Sequence, residues 1–536
     1  MSRIIPLSLV RNPQKAERAP TLEELRSEVQ EAMQSALGLV ESEALEAQRQ
    51  VRFRDVERKL SEHLFAIGRA LVMLFLALRE EHVVAAHRDR SRFEWFGKVY
   101  RQAPAIGRNL NTMFGVVRYF RTYMREVATT AETKRHGFHP LDLSLGLMKD
   151  RLSWNVLSLA VRLATKLTFG EARATMDLFV PNTPSTEVVE KAVLGMGRHT
   201  GAWLEHAPLP DDDGEVLVMQ FDGKGAPTVT ARELARRRRK RRKASKSGSP
   251  NSKRHRGRQQ RGRHPPLPRR KKGDKSKNAK MATMVVMYTL RRVGTRRLEG
   301  PLNRWVYASF APKRHAFDVA RRMADKRGFG DDTGKLVQIV TDGDPDLMRL
   351  GREFFPKAEH TIDYFHVSEY LWIAGACLYV EGSSEQRDWV DQQKQRLFDD
   401  DAEAIVAELR ERRDAIAKRG PGNKGRRERL AGTLRYLERR LDHIRYGSLR
   451  RRDLEIGSGA VEGAVKHVIA KRCDHGGMRW IKERAEAVLQ LRCIEVNGQW
   501  DLFERFVHDR LIADGLFNRA PPRLQQDQPA PLPMAA

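Results

Sequence analysis

The spacing of apolar residues changes three times along the chain. Residues 21–95 read as helical. Thr21 with Glu24 three positions on has capping-box spacing, and the run that follows holds no Pro or Gly before Gly38. A second helix is predicted from about Val56 to Ala77, and its ALVMLFLAL stretch marks it as buried. The apolar run from Ala70 to Leu78 is short of the ~20 residues that cross a bilayer, so no membrane partner is expected. Residues 154–196 repeat the helical pattern in shorter pieces. WNVLSLAVRLATKL comes first. TFGEARATMDLF follows, with Thr168 as N-cap and Glu171 three residues on. In PNTPSTEVVEKAVLGMG, Thr183 can cap and Pro184 can take the first helical position. Three short helices with tight turns outline either a helix-turn-helix, whose last helix would enter a DNA major groove, or a plain helical bundle.

From Gly214 the pattern turns to strands. EVLVMQFD, MATMVVMYTL, NRWVYASF, KLVQIVTDGD and AEHTIDYFHV are apolar, β-branched runs. KRHAFDVARRMADKRG and PDLMRLGREFF between them are helical. The order β-(loop)-β-β-α-β-α-β predicts an α/β core of RNase H-like topology, a mixed sheet flanked by helices. A helical insertion then covers residues 383–450. WVDQQKQRLFDDDAEAIVAELRERRDAIAKR reads as one helical region. After GPGNKG, Leu430, Leu434, Leu437, Leu441 and Ile444 form a single stripe. A last core helix is predicted from Gly459 to Cys473.

Charge changes the picture of what this fold meets. The 536 residues carry a net charge of +30. Residues 235–280 hold 22 Lys or Arg against one acid, Asp274, which leaves +9 for the rest. A disordered polybasic loop is predicted over 233–280. A field of this sign captures polyanions, with nucleic acid first among them. Cys377, Cys473 and Cys493 lack metal-binding spacing, so no zinc or disulfide framework is expected and a reducing cytoplasm fits. The organisation that results is a helical region over 1–100, a DNA-binding region over 101–205, a core in two parts (212–382 and 451–510) interrupted by the insertion, and a flexible tail over 511–536.

The candidate chemistry lies in three carboxylates. Asp222 ends VLVMQFDG and Asp342 ends VQIVTDG; in each, a strand delivers Asp to its terminus and Gly leaves room for a ligand. Glu462 sits about 100° around a helix from Val461, at the edge of the face made by Val461, Val465 and Val468, with Ser458 a plausible N-cap. Phosphoryl transfer needs two divalent ions about 3.5–4 Å apart, and Mg²⁺ takes oxygen ligands of this kind. Asp344 and Asp346 are read as caps of the next helix. Lys466 can pair with Glu462 across one turn, or meet phosphates together with Lys471 and Arg472. Arg236, Arg237, Arg238, Arg239 and Lys240 open the polybasic run and are further candidate DNA contacts. Trp389 and Trp480 either pack in cores or stack on flipped bases.

FDGKG (221–225), TDGDPDL (341–347), IDYFHVSEYLW (362–372) and IGSGAVEGAVKHVIAKRCDHGGMRW (456–480) give the chain a family likeness. TMFGVVRYFRTY (112–123), PLDLSLGL (140–147) and LTFGEARATMDLF (167–179) extend it upstream. The sequence resembles bacterial insertion-sequence transposases of the DDE class, in particular the ISKra-like group, and more distantly Mutator-type transposases. The resemblance covers roughly residues 105–510. It implies that Asp222, Asp342 and Glu462 bind the metal, two Mg²⁺ for which Mn²⁺ could substitute. It also implies that Asp363 and His366 form a supporting D-x-x-H element. Partners would be the element's terminal inverted repeats and target DNA, bound by a homodimer or larger assembly. Cysteines that some relatives carry after the RYFRTY region are missing here, which speaks against zinc. An RNase H-fold nuclease and a non-catalytic repressor derived from a transposase are the alternatives.

Overall fold

The computed structural model describes residues 18–45, 52–85, 93–95, 98–127, 137–147, 151–236, 239, 279–294, 297–474 and 478–517. The chain divides into two compact units, one of residues 1–192 with 501–536 and one of residues 193–500.

In the first unit, α1 (Leu22–Leu45) starts at the expected capping box, with Glu24 N–H on Thr21 Oγ1 at 3.1 Å and Thr21 N–H on Glu24 at 2.7 Å. α2 (Phe53–Ala85) is longer than expected at both ends. It is also not the buried helix that its composition suggests. Gly68, Ala70, Leu76 and Val84 are buried, whereas Leu64 (57 % exposed), Leu71, Phe75 (55 %) and Leu78 face outward. α1 and the sheet each cover only the stripe of α2 that faces them, so an all-round apolar sequence leaves the rest uncovered. Its length and hydropathy match those of a membrane-crossing helix.

The N-terminal region, expected to be mainly helical, holds a sheet besides its helices. Strands β1 (Phe93–Trp95), β2 (Lys98–Thr112), β3 (Gly115–Glu126) and β4 (Gly137–Phe138) pair antiparallel in that order. Val117, Tyr119, Thr122 and Met124 of β3 are buried and alternate with more exposed neighbours across one irregular step. Leu110, Val117 and Tyr119 form a core with Leu76 and with Leu141 of α3 (Pro140–Ser144). Next come α4 (Trp154–Lys166), α5 (Phe169–Met176) and α6 (Thr186–Gly197), the last spanning the division between units. Thr168 and Glu171 make the expected reciprocal capping box. α6 starts two residues later than Thr183 and Pro184 predict. Ser185 Oγ accepts Val188 N–H at 3.4 Å, and Thr183 is turned back onto Asp177. The helix Trp500–Phe517 belongs to this unit from Asp501 on and runs into the stretch expected to be a flexible tail. Residues 518–536 lie outside the described residues.

In the second unit, α7 (Thr200–His206) leads to β5 (Val216–Pro227), β6 (Ala279–Val293) and β7 (Arg297–Ser309), paired antiparallel. α8 (Lys313–Lys326), β8 (Leu336–Thr341), α9 (Pro345–Phe354) and β9 (Glu359–Ile362) follow, with β8 parallel to both β5 and β9. The five strands lie in the order β7-β6-β5-β8-β9, a mixed sheet flanked by helices. Leu217, Met219 and Phe221 point to one face, where Phe317 of α8 stacks on Phe221 with ring centroids 4.0 Å apart. Val218, Gln220 and Asp222 take the other face by strand alternation. The expected polybasic loop is narrower than 233–280, because residues 231–236 are helical and β6 begins at Ala279.

The final expected strand, AEHTIDYFHV, stops at Ile362, where Asp363 opens α10 (Tyr364–Leu378). The insertion holds α11 (Ser384–Phe398), α12 (Ala402–Ala415), α13 (Asn423–Glu438) and α14 (Tyr446–Arg451). Its first expected helix is broken in two at Asp400, whose φ of 61° is incompatible with a helix. α13 ends before Leu441, but Leu430, Leu434, Leu437 and Ile444 are buried as the stripe predicts. α15 (Gly459–Ala464) passes into a π-helix over Val465–Asp474, and α16 (Lys482–Val496) follows. The cysteines are buried thiols, with no disulfide among them.

Candidate active site

Asp222 is not the last residue of its strand. β5 runs to Pro227 beside β6, while its ladder with β8 ends at Phe221↔Thr341. Asp222 and Asp342 therefore each stand one position past the last rung of the parallel pair, on neighbouring strands. Gly343 turns the chain away with φ of 83°. Asp344 then caps α9, accepting Asp346 N–H at 2.9 Å and Leu347 N–H at 3.1 Å, as its position predicts. Asp342 accepts Asp344 N–H at 2.8 Å. Asp222, Asp342 and Glu462 are all half-buried.

Two glutamines that the sequence reading passed over attach the third carboxylate's segment to this sheet. Gln220, 1 % exposed on β5, accepts Val461 N–H at 2.9 Å and donates to the Gly457 carbonyl at 3.2 Å and to Tyr288 Oη at 3.1 Å. Gln338, fully buried on β8, accepts Glu455 N–H at 3.1 Å and donates to the Glu455 carbonyl at 2.6 Å and Thr361 Oγ1 at 2.9 Å. Such amides act as a spare backbone, satisfying groups that would otherwise be buried without partners. The signal was present in the sequence: VLVMQF and LVQIV each place one Gln inside an apolar strand, two residues and four residues before the aspartate.

Ser458 occupies the N-cap position of α15, yet its side chain does not cap the helix. It donates to Glu462 Oε1 at 3.3 Å instead, and its N–H donates to Asp363 Oδ1 at 3.1 Å. Asp363 is fully buried and caps α10 through Phe365 and His366 N–H. It also accepts His366 Nδ1–H at 2.7 Å, so His366 lies on the first turn of a helix and not at a strand end. Ligand atoms of Asp363, His366 and Glu462 lie within 4.8 Å of one another, a spacing at which a metal ion would compete with the proton on His366.

Electrostatics link the five groups. Burial pushes the Asp222 carboxyl above its usual range; Asp342 and Glu462 add to that push, while Gly223 N–H and His366 oppose it. Burial also pushes Asp363 up, but His366 and the N–H groups of Ser458 and Phe365 outweigh it and leave the carboxyl below its usual range. The hydrogen bond to Asp363 raises His366 to about 9. His366 is then an imidazolium at neutral pH. Its raised value contributes stability that is complete below its unfolded value of about 6.5 and is lost as pH rises through about 9. An NMR titration should find the His366 midpoint near 9 in the full chain and within about one unit of 6.5 in Asp363→Asn. A wild-type midpoint below 7 would contradict the pairing.

The helical insertion holds the Asp342 turn from outside the sheet. Tyr436 Oη donates to the Asp342 carbonyl at 2.9 Å, and Arg440 Nε donates to the Gly343 carbonyl at 3.0 Å. A Cβ on Gly343 would fall 2.6 Å from Arg440 Nε. Gly343→Ala should therefore cost about 1–3 kcal/mol, from the left-handed backbone and the displaced guanidinium. Denaturant unfolding checks this, and a loss under ~0.5 kcal/mol would show that the turn relaxes freely.

The candidate DNA contacts separate. Lys466 and Lys471 are exposed, and among the described residues no ion pair joins Lys466 to Glu462. Arg472 is 1 % exposed, which removes it from the surface set. It lies in the π-helix with the buried Val465 and Val468, and its guanidinium lies over the Trp480 ring at 4.6 Å. Trp480 is itself buried and bridges to Thr228, while Trp389 is buried with its indole N–H on Glu408 at 3.0 Å. Both follow the core-packing alternative. Arg236 and Arg239 are exposed; Arg237, Arg238 and Lys240 lie outside the described residues.

The sequence profile of an uncharacterised protein family (UPF0236) matches residues 317–506, a stretch that includes Asp342, Asp363, His366 and Glu462 but not Asp222. No curated protein matches the chain. Among solved structures, the chain is similar to the Drosophila P element transposase strand transfer complex, at 11 % identity over 73 % of this chain and 91 % of that one, with a TM-score of 0.22. At that score the likeness leaves fold and function to the chain's own geometry.

Proposed function

We propose that the chain is a DNA transposase of an ISKra-like insertion sequence, with an RNase H-like core and Asp222, Asp342 and Glu462 as its metal-binding carboxylates. The observation that carries this reading is the placement of Asp222 and Asp342 one step past a shared parallel ladder, with the Glu462 segment pinned to the same sheet by Gln220 and Gln338. The strand order β7-β6-β5-β8-β9 supports the RNase H-like assignment. The donor set fits divalent magnesium or manganese: the three residues offer only hard carboxylate oxygens, and burial, with the like charges of Asp342 and Glu462 behind it, pushes Asp222 toward protonation. Bound there, two such ions would supply the charge that activates an attacking oxygen and stabilises a leaving one.

The chain's own groups do the rest. Asp222 and Asp342 hold carboxylates on rigid strands, and Glu462 adds a third from its helix. Asp363 keeps His366 charged beside them, which favours the approach of a phosphodiester. Lys466 and Lys471 offer surface contacts to phosphates. The α4–α6 helices and the polybasic segment bind the terminal inverted repeats, and two or more copies bring the ends together.

The test is an assay of the full chain with Mg²⁺ and DNA carrying the element's ends. Cleaved ends and joined products are expected, and a chelator should abolish both. Cleavage without joining would favour a nuclease, and binding without cleavage a repressor; either outcome overturns the proposal.

A further inference from the structure

We propose a phosphodiester-binding site in the cavity of about 330 Å³ between α9 and the end of α13, lined by Pro345, Met348, Arg349, Arg352, Arg439 and Arg440. The inference rests on the reading of the chain as a DNA-processing protein and names where one strand lies relative to Asp342. Four of the six lining residues are arginines. Arg440 is buried and fixed at the base: it donates to the Gly343 and Tyr436 carbonyls and lies 4.0 Å over the Tyr436 ring. Those bonds use three of the five N–H donors of a guanidinium.

Arg352 and Arg439 are exposed, and among the described residues neither has an ion-pair partner. Arg349 shares Asp346 at 3.6 Å and Glu353 at 3.4 Å, but all three side chains are exposed, so these pairs are weak and exchangeable. The positive field reaches inward as well. Burial lowers the imidazoles of His360, to about 4, and His443, and Arg352 lowers both further. Guanidinium groups that outnumber the acids around one cavity repel each other until an anion enters. Their planar forks suit phosphate oxygens. Arg440 bonds to the residue next to Asp342, so a phosphate held here belongs to the strand that passes the carboxylates.

Salt dependence of DNA binding by the full chain tests the site. Each phosphate contact contributes about 0.9 to the slope of log Kobs against log salt on duplex DNA. The double variant Arg352→Gln with Arg439→Gln should bind more weakly, with a slope shallower by about 2. The polybasic segment is common to both proteins and drops out of the difference. Arg291→Gln with Arg297→Gln, the same charge change on β6 and β7, should leave the slope within about 0.5 of wild type. An unchanged slope in the Arg352/Arg439 variant overturns the site while leaving the transposase reading intact, as does an equal loss in the β6–β7 control. A wild-type chain that binds no DNA overturns both.

Discussion

Asp342→Ala protein should fold, bind DNA like the wild type, and give no joined product. Asp342 offers its carboxylate from the turn after β8, where the backbone is already held by Tyr436 and Arg440. Removing the carboxylate leaves those backbone bonds in place and loses only the bond from Asp344 N–H, so the fold should lose about 1 kcal/mol. Electrostatic stabilisation through such a ligand is worth several kcal/mol, and about 4 kcal/mol is about a thousandfold in rate. Asp222→Ala and Glu462→Ala should behave alike. Asp222→Ala should even stabilise the fold slightly, since burial and two like charges already act against that carboxylate. Paired assays of strand joining and end binding measure the split. Joining retained by Asp342→Ala within tenfold of wild type would remove the residue from the reaction.

Gln220→Leu should produce the second large effect, on stability and activity together. The leucine fits an apolar strand but cannot bond the Gly457 carbonyl, which then loses its partner, or Val461 N–H, which keeps only the Ser458 carbonyl at 3.0 Å. A buried group left unsatisfied costs about 1–3 kcal/mol, and the carbonyl of Gly457 is such a group, so the substitution should cost about 1–3 kcal/mol. Val461 precedes Glu462, so the freed segment also carries the third carboxylate away from Asp222 and Asp342. Gln220→Glu keeps an acceptor for Val461 N–H and should recover part of both losses. Denaturant unfolding and the joining assay read the two effects separately. A Gln220→Leu protein with wild-type stability and activity would show that the segment is held by other contacts.

Capping boxes at Thr21 and Thr168, the strands of the second unit and the Asp342-Gly343 turn were legible because each is written in a few adjacent residues, whereas β5 runs on through Asp222-Gly223 to Pro227. The sheet of the first unit was missed for a physical reason. β2 and β3 are rich in arginine and their alternation is broken by an irregular step between Ala103 and Ile106, which hides the period of two. The outward-facing leucines of α2 were misread because apolar content reports the potential for burial, not the presence of a partner. Arg472 was misassigned by residue type: its charge suggests a surface contact, but its segment winds as a π-helix and turns it onto the Trp480 ring.

By itself, then, the sequence determined which apolar strands carry Asp222 and Asp342, since a strand is local, although β5 continues past Asp222 to Pro227. Tertiary structure alone decided how those groups meet: that Gln220 and Gln338 bind the Glu462 segment, that Asp363 charges His366, and that Tyr436 and Arg440 hold the Asp342 turn. Two of these three sets of contacts join residues about a hundred or more positions apart, and their partners become neighbours only when the sheet and the insertion close on each other. Asp363 and His366 are three residues apart, but the pair gains its meaning from Glu462, which the fold brings to it.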